Sequence, residues 1–171
     1  GPFLVLLGDN VLTSNHQSLE EFKPSNVSKN LVDLYTKHGQ PCASIYDVGI
    51  GRVSNYGIVS LNDGTITSIV EKPRADAAPS TYALCGRYIY GADTFELLDK
   101  YSVEEYGEMQ SIELLRHWME NGDLRADILP ESVAWYDSGL PLEWLTSQID
   151  HALRRPEYAH QLRRWLNERM D

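Results

Sequence analysis

Apolar and polar positions in the first part of the chain follow strand and helix patterns in turn. The run FLVLL, which begins at Phe3, is continuously apolar, and this is typical of a strand buried on both faces of a parallel sheet. Further on, apolar residues recur at helical spacing, namely Val27, Leu31, Leu34 and Tyr35. Ser25 or Asn26 can cap this helix, and Gly39 ends it. Because CASIYDV is the next predicted strand, the three elements form one crossover unit, which indicates a parallel α/β sheet.

The middle of the chain carries its clearest hairpin signal. The segments YGIVSL and TITSIVEK flank Asn62-Asp63-Gly64, and the Asp-Gly pair supplies the positive φ angles of a tight turn. RADAAPST has the composition of a loop, and YALCGRYIYG returns to a strand pattern. We therefore expect a hairpin, a loop and a further strand.

The last part of the chain is predicted to be mostly helical. Helices are expected near residues 92–100 and 109–121, and the runs LRADIL and VAWYD are predicted to form short strands. Two amphipathic helices follow within residues 141–171, with Pro156 suited to the first turn of the second. We expect an α/β fold with a mixed, mainly parallel sheet flanked by helices.

Length and charge narrow the class of protein. A chain of 171 residues, of which 42% are hydrophobic, can bury one core, so we predict a single domain over residues 1–171. The 15 Lys and Arg against 25 Asp and Glu give a formal net charge of −10, which opposes attraction to nucleic acid or to an anionic membrane. Any phosphate group must therefore be held locally, by a metal ion or by a few placed cations.

The cysteine content and the absence of long apolar runs favour a cytoplasmic location. Cys42 and Cys85 lie in apolar strands without the spacing of metal ligands. Buried thiols of a reducing compartment are the simplest interpretation, and a disulfide is the alternative. No apolar stretch reaches the length of a membrane span, and no signal-peptide pattern is present.

Two acidic residues follow apolar strands, where open α/β sheets hold their ligands. Asp9 lies in Gly8-Asp9-Asn10 after FLVLL, and Asp137 lies in WYDSG after an apolar strand. Each of these alone fits an ordinary strand-to-loop turn. Two such carboxylates that converge on one Mg²⁺ would suit phosphoryl transfer.

Two further segments could contact a ligand. At Glu71-Lys72-Pro73 a strand delivers a carboxylate for sugar hydroxyls and an ammonium for a phosphate, although a solvated strand end explains the tripeptide equally well. In Ser54-Asn55-Tyr56-Gly57 the glycine allows a ligand to approach the backbone, or merely begins a strand.

The order of these motifs resembles that of the sugar-1-phosphate nucleotidyltransferases. LLGDN is followed by NYGIV, IVEKP, APS, ALCGRY, YGEMQ and WYDSG, as in the glucose-1-phosphate uridylyl- and thymidylyltransferases. EKP followed by APS and GRY is most similar to the bacterial uridylyltransferases, as is the ending ALRRPEYAHQLRRWL. The resemblance runs over nearly the whole chain and implies a nucleotide-diphospho-sugar transferase fold.

The resemblance also implies roles for individual residues. Asp9 and Asp137 match the Mg²⁺ ligands and Lys72 matches the lysine that faces the sugar phosphate, so these three are the expected catalytic residues. The expected substrate-binding residues are Asn10, Tyr56, Gly57, Glu71, Lys72, Gly86 and Glu108. The segment after Glu108 departs from the family's usual I-Q-L-T-D, so only Glu108 is carried over from that region.

The reaction implied is transfer of a uridylyl group from UTP to glucose 1-phosphate, giving UDP-glucose and pyrophosphate in the intact parent protein. The alternatives are an enzyme that uses dTTP or CTP, or a non-catalytic fragment that binds sugar phosphate. The family's triphosphate-gripping G-x-G-T-R loop does not occur in this sequence, so we expect an N-terminal truncation and an inactive fragment. The surface uncovered in this way, with the helices of residues 141–171, predicts a homo-oligomer.

Overall fold

The computed structural model of the chain describes residues 1–14, 26–100 and 111–170. The strands in these ranges are β1 (Phe3–Leu6), β2 (Asn10–Ser14), β3 (Cys42–Asp47), β4 (Gly57–Asn62), β5 (Thr65–Glu71), β6 (Tyr82–Tyr90), β7 (Arg125–Ile128) and β8 (Val133–Asp137). The α-helices in these ranges are α1 (Asn26–His38), α2 (Thr94–Leu98), α3 (Ser111–Glu120), α4 (Pro141–Leu153) and α5 (Pro156–Met170). Short 3₁₀ helices cover Ile50–Asn55 and Ala75–Ala77. The predicted order of strands and helices is confirmed in the described ranges, except that the structure adds β2, where no strand was predicted.

The chain folds into two compact units. Unit 1 consists of Gly1–Leu7 and Asn26–Pro130, and unit 2 consists of Gly8–Ser25 and Glu131–Asp171. Unit 1 therefore contains β1, β3 to β7 and α1 to α3, whereas unit 2 contains β2, β8, α4 and α5. The single domain expected over residues 1–171 stays a prediction.

Unit 1 is built on a six-stranded mixed sheet with the order β1-β6-β3-β7-β5-β4. The mixed sheet and the α/β class are confirmed, but the expectation of mainly parallel pairing needs correction. Among the described residues of this sheet only β3 and β7 pair in parallel, and the other pairs are antiparallel. The reason is the position of β6, which lies between β1 and β3 and runs antiparallel to both. The crossover unit of β1, α1 and β3 keeps its two strands pointing the same way, but another strand separates them.

The strand β1 differs from its prediction in burial. It forms one end of the sheet order and, among the described residues, pairs only with β6, from Phe3 opposite Tyr90 to Leu6 opposite Arg87. Phe3, Leu4 and Leu6 are exposed. Phe3 and Leu4 point to opposite faces, so the prediction of a strand buried on both faces is wrong for β1. A strand at the end of a sheet lies at the margin of the core, where less of each face is covered.

The hairpin of β4 and β5 is confirmed together with the chemistry of its turn. Asp63 and Gly64 have φ angles of 47° and 72°, and two successive positive φ angles are what a type I′ turn requires. The register pairs Gly57 with Glu71 at the far end of the hairpin, so the turn determines which residues meet there.

Helices cover both faces of the sheet in unit 1. On one face Leu31 of α1 packs with Cys42 and Ile89, which are register partners on β3 and β6. The cluster on the other face includes Ala43, Tyr88, Leu115 and Trp118. Successive residues of a strand point to opposite faces, so the two clusters lie on opposite sides of the sheet. The predicted arrangement of helices flanking a sheet is thus confirmed.

Unit 2 combines a two-stranded sheet with two helices. β2 and β8 pair antiparallel with Asn10 opposite Asp137, and α4 packs against both β8 and α5. The helix α5 begins at Pro156, as its sequence predicted. Trp135 is buried, whereas Trp144 and Trp165 are about half exposed, at 51% and 49%. These two rings give the helices apolar surface of the kind that the predicted oligomer requires, and that oligomer stays a prediction.

Both cysteines are buried free thiols, as predicted. Burial away from water disfavours the thiolate and raises the pKa of Cys42 and of Cys85 to about 12. Within the described ranges, none of the helices has the length and apolar character needed to cross a membrane.

Candidate functional site

The end of β5 presents two charged side chains from an unusual backbone. Glu71 is the last residue of the strand and Lys72 has a φ angle of 45°, in the left-handed region that side chains other than glycine rarely adopt. A following proline normally keeps the residue before it extended, so Pro73 makes the conformation of Lys72 more costly still. Strain of this kind concentrates at ligand-binding positions, where the surrounding structure maintains it.

The side chains of Glu71 and Lys72 are open to solvent and can reach a ligand. Lys72 Nζ lies 3.8 Å from Glu71 Oε1, and the two side chains are 63% and 43% exposed. An exposed ion pair at this distance contributes little to stability. An ammonium and a carboxylate side by side can instead bind a phosphate group and sugar hydroxyls.

Gly57 and Tyr56 lie opposite Glu71 and Lys72 across the hairpin. A Cβ atom at Gly57 would lie 3.0 Å from Glu71 Oε2, so the glycine leaves the space that the carboxylate occupies. Tyr56 is buried, and its hydroxyl accepts a hydrogen bond of 2.7 Å from Arg52 Nη2. The structure thus brings together four of the predicted residues in unit 1, namely Tyr56, Gly57, Glu71 and Lys72.

Gly86 lies in a bulge of β6. Its φ angle of 69° is in the left-handed region, where glycine carries no steric cost. The register of β3 and β6 shifts here, because Ala43 faces Tyr88 whereas Ile45 faces Leu84. The carbonyl of Gly86 accepts hydrogen bonds from the Leu7 amide at 3.0 Å and from Arg87 Nη1 at 3.1 Å. A bulge of this kind redirects a strand, and is typical next to binding sites.

Unit 2 brings the two predicted aspartates close together. A Cβ atom built on Gly139 would lie 3.0 Å from Asp137 Oδ1 and 3.2 Å from Asp9 Oδ2. The Gly139 amide donates to Asp137 Oδ1 at 3.0 Å, and the Ser138 amide donates to the carbonyl of Asp9 at 2.8 Å. Both carboxylates therefore converge on the backbone of Gly139, in the space that any other residue would fill.

Asn10 connects Asp9 to the buried part of unit 2. Its Nδ2 donates to Asp9 Oδ1 at 2.8 Å, and its Oδ1 accepts from Trp135 Nε1 at 2.7 Å. Asn10 is itself buried, and a buried amide with both ends bonded has one orientation. The carboxylate of Asp9 is thus oriented by Asn10, which in turn is oriented by Trp135.

The chemistry of the two carboxylates fits a hard divalent cation. Mg²⁺ prefers oxygen ligands and is commonly bound by one or two carboxylates, with waters and substrate phosphates completing its shell. Residues 1–14, 26–100 and 111–170 contain no cluster of three or more His, Cys, Asp or Glu side chains that could hold a metal. Two carboxylates leave most of the ligand positions of Mg²⁺ open, so the pair at Gly139 could hold the ion only together with waters or phosphate oxygens.

A second group of polar side chains in unit 2 was not predicted from the sequence. Tyr136 donates to Asp150 Oδ2, which also accepts from Arg154 Nε at 3.1 Å. Burial, and then the hydrogen bond to Asp150, raise the pKa of Tyr136 to about 12. Partial burial opposes ionisation of Asp150, but the hydrogen bonds from Tyr136 and Arg154 outweigh it and lower the pKa of that carboxyl. The spacing of Asp150 and Arg154 at i and i+4 is the sequence signal that could have found part of this network.

One predicted residue cannot be placed, and two residues have contacts that the sequence does not indicate. Glu108 lies outside the described residues. Arg52 was missed because the sequence gives no sign that its side chain meets Tyr56 four residues later within a 3₁₀ helix. Trp135 also has a role that the sequence does not indicate, because its Nε1 donates the hydrogen bond to Asn10.

The chain is similar to known proteins over most of its length. A family model described as nucleotidyl transferase matches residues 3–150. A UTP–glucose-1-phosphate uridylyltransferase of Bacillus subtilis is 28% identical over 172 residues, covering 98% of this chain and 54% of the relative. The enzyme of the same name from Streptococcus pneumoniae is 28% identical over 171 residues, covering 96% of this chain and 55% of the relative. The chain thus spans about half the length of these relatives.

Solved structures give the same result for the fold. A UDP-glucose pyrophosphorylase from Acinetobacter baumannii superposes with a TM-score of 0.76 at 22% identity, covering 98% of this chain and 56% of that chain. A UDP-glucose pyrophosphorylase complexed with UDP-glucose superposes with a TM-score of 0.71 at 28% identity, covering 88% of this chain and 56% of that chain. The topology and the likeness to known folds thus both confirm an α/β fold with a mixed sheet flanked by helices.

Proposed function

Since this chain belongs to the nucleotidyl transferase family, we propose that the protein containing it transfers a uridylyl group from UTP to glucose 1-phosphate, giving UDP-glucose and pyrophosphate. The observation that carries the proposal is the match over residues 3–150, a range that includes every predicted site residue. The names of the relatives support UTP and glucose 1-phosphate as the substrates.

The residues of unit 1 suit the sugar phosphate. The ammonium of Lys72 provides a positive charge for the phosphate, and the carboxylate of Glu71 provides acceptors for sugar hydroxyls. Gly57 leaves room beside Glu71, and Gly86 forms the bulge that redirects β6. Since a phosphate oxygen of glucose 1-phosphate is already anionic at neutral pH, no general base is needed to activate it.

The residues of unit 2 suit a metal-assisted step. Asp9 and Asp137 would hold Mg²⁺, with Asn10 fixing the orientation of Asp9. When bound, the ion would neutralise charge on the triphosphate in the transition state. The catalytic contribution of the chain's own residues is then alignment of the reactants and placement of charge, which is what phosphoryl transfer chiefly requires.

The test is a comparison of nucleotides and of one aspartate variant in the complete polypeptide that carries these residues. With glucose 1-phosphate, UTP should give the highest kcat/KM among UTP, dTTP and CTP. Preference for dTTP or CTP would assign a different nucleotide, and binding without turnover would indicate a non-catalytic protein.

Asp137→Asn should lower kcat at least about 100-fold, because the carboxylate supports charge that is needed most in the transition state. The KM for glucose 1-phosphate should change less than about threefold. The matched control is Asp33→Asn on α1, since Asp33 is exposed and pairs only locally with Lys29. Unchanged turnover of Asp137→Asn at saturating Mg²⁺ would remove Asp137 from the proposed mechanism.

A further inference from the structure

The left-handed backbone of Lys72 has to be maintained by its surroundings. The Lys72 amide donates a hydrogen bond of 3.0 Å to the carbonyl of Tyr56, one position beyond the register pair of Gly57 and Glu71. This bond extends the ladder of β4 and β5 by one step, and the chain turns directly after it at Pro73. The position of Tyr56 therefore determines where Lys72 leaves the sheet.

Tyr56 is in turn fixed from the 3₁₀ helix that precedes it. Its amide donates to the carbonyl of Val53 at 3.3 Å, and its buried ring, 6% exposed, ends in the hydroxyl that accepts from Arg52 Nη2 at 2.7 Å. The Arg52 guanidinium carbon also lies 5.6 Å from the centre of the ring. A charged donor bound to the end of a buried ring strengthens the hydrogen bond and restricts the ring to one orientation.

We propose that Arg52 is a positioning residue, which acts through Tyr56 to hold the Lys72 backbone in its left-handed conformation and thereby aims the Lys72 ammonium at the sugar phosphate. The proposal has two steps. The first step, in which Arg52 holds the Lys72 backbone through Tyr56, depends only on the contacts of these three residues. The second step, in which the Lys72 ammonium is aimed at the sugar phosphate, rests on the proposed function, because only that function assigns a sugar phosphate to Lys72.

The first step is tested by amide hydrogen exchange of the isotopically labelled chain, followed by NMR. Arg52→Gln and Tyr56→Phe each remove the bond to the tyrosine hydroxyl, and either should increase exchange of the Lys72 amide roughly tenfold. Arg52→Lys keeps a charged donor and should restore most of the protection. The amides of Ser60 and Ser68, a hydrogen-bonded pair further along the same ladder, should exchange as in the parent chain.

Two comparisons separate positioning from a general loss of stability. Arg116→Gln removes an arginine hydrogen bond of the same length, 2.7 Å, to Glu113 Oε1, and should leave exchange at Lys72 unchanged. The double variant of Arg52→Gln and Tyr56→Phe should exchange no faster than either single variant, because both remove one interaction. Unchanged protection at Lys72 in both single variants, or an equal loss of protection at Ser60 and Ser68, would overturn the proposal.

The second step is tested by the affinity of the complete polypeptide for glucose 1-phosphate. Arg52→Gln should weaken binding roughly tenfold and Arg52→Lys should recover most of it, while kcat at saturating substrate changes little. Unchanged affinity together with faster exchange would overturn the link from Lys72 to the ligand. If the parent protein does not bind glucose 1-phosphate at all, the proposed function fails, and the exchange data still decide whether Arg52 positions Lys72.

Discussion

Gly139 offers a direct test of the paired carboxylates, because a single methyl group should separate them. In Gly139→Ala the new Cβ would lie 3.0 Å from Asp137 Oδ1 and 3.2 Å from Asp9 Oδ2, whereas ordinary van der Waals contact begins at 3.4 Å. Each oxygen must retreat by a few tenths of an ångström, and the hydrogen bond from the Gly139 amide to Asp137 is disturbed as well. We expect divalent-cation binding to weaken roughly tenfold, which is about 1.4 kcal/mol.

The assay uses Mn²⁺ as a paramagnetic probe of the labelled chain. In the parent chain, Mn²⁺ should broaden the amide signals around Asp9 and Asp137 first, and Gly139→Ala should shift the midpoint of this broadening to about tenfold higher Mn²⁺. Gly8→Ala is the matched control, because a Cβ there meets no atom within 4 Å, so its midpoint should not move. An equal midpoint for Gly139→Ala, or broadening spread evenly over the acidic surface, would refute the assignment of this pair as a metal site.

Two further predictions concern the core and the buried thiols. Leu115→Ala should lower the free energy of unfolding, measured in urea, by about 3 kcal/mol, because Leu115 is 1% exposed in the main core of unit 1. The control is Leu142→Ala, at a position that is 75% exposed, and it should lower this free energy by less than about 0.5 kcal/mol. Equal effects would contradict the placement of α3. Cys42 and Cys85 should resist thiol reagents in the folded chain. Because their pKa is raised from 9.0 to about 12, their neutral forms contribute stability that is complete below pH 9.0 and is lost as the pH rises toward about 12. Rapid labelling under native conditions, or stability that does not fall over this alkaline range, would contradict their burial.

Local chemistry made the hairpin of β4 and β5 predictable. The positive φ angles that Asp63 and Gly64 adopt follow from the residue types at those two positions, without reference to the rest of the chain. The bulge at Gly86 belongs to the same class, since a glycine inside a strand pattern indicates a bulge or a close backbone approach. The helices were equally accessible, because their apolar spacing and their prolines are local signals.

Pairing between distant strands was not predictable in the same way. The apolar run of β1 indicated burial on both faces. Burial depends on neighbours, however, and the strand that pairs with β1 is β6, which lies far along the chain at Tyr82–Tyr90. The left-handed backbone conformation of Lys72 could not be predicted from the sequence for a related reason. Sequence rules place a residue before proline in an extended conformation. The contact of the Lys72 amide with the carbonyl of Tyr56 comes from another strand of the hairpin, at the residue just before β4.

A glycine next to a carboxylate is the feature that the two groups of candidate residues share. In unit 1 a Cβ at Gly57 would lie 3.0 Å from Glu71 Oε2, and in unit 2 a Cβ at Gly139 would lie 3.0 Å from Asp137 Oδ1. No positive φ angle is recorded at either glycine, so backbone conformation does not explain the choice of residue. The explanation is space, because only a residue without Cβ lets a carboxylate approach the backbone this closely. Each glycine thus provides the space that a carboxylate occupies. In the sequence Gly139 lies two residues after Asp137, whereas Gly57 meets Glu71 only through the register of the hairpin.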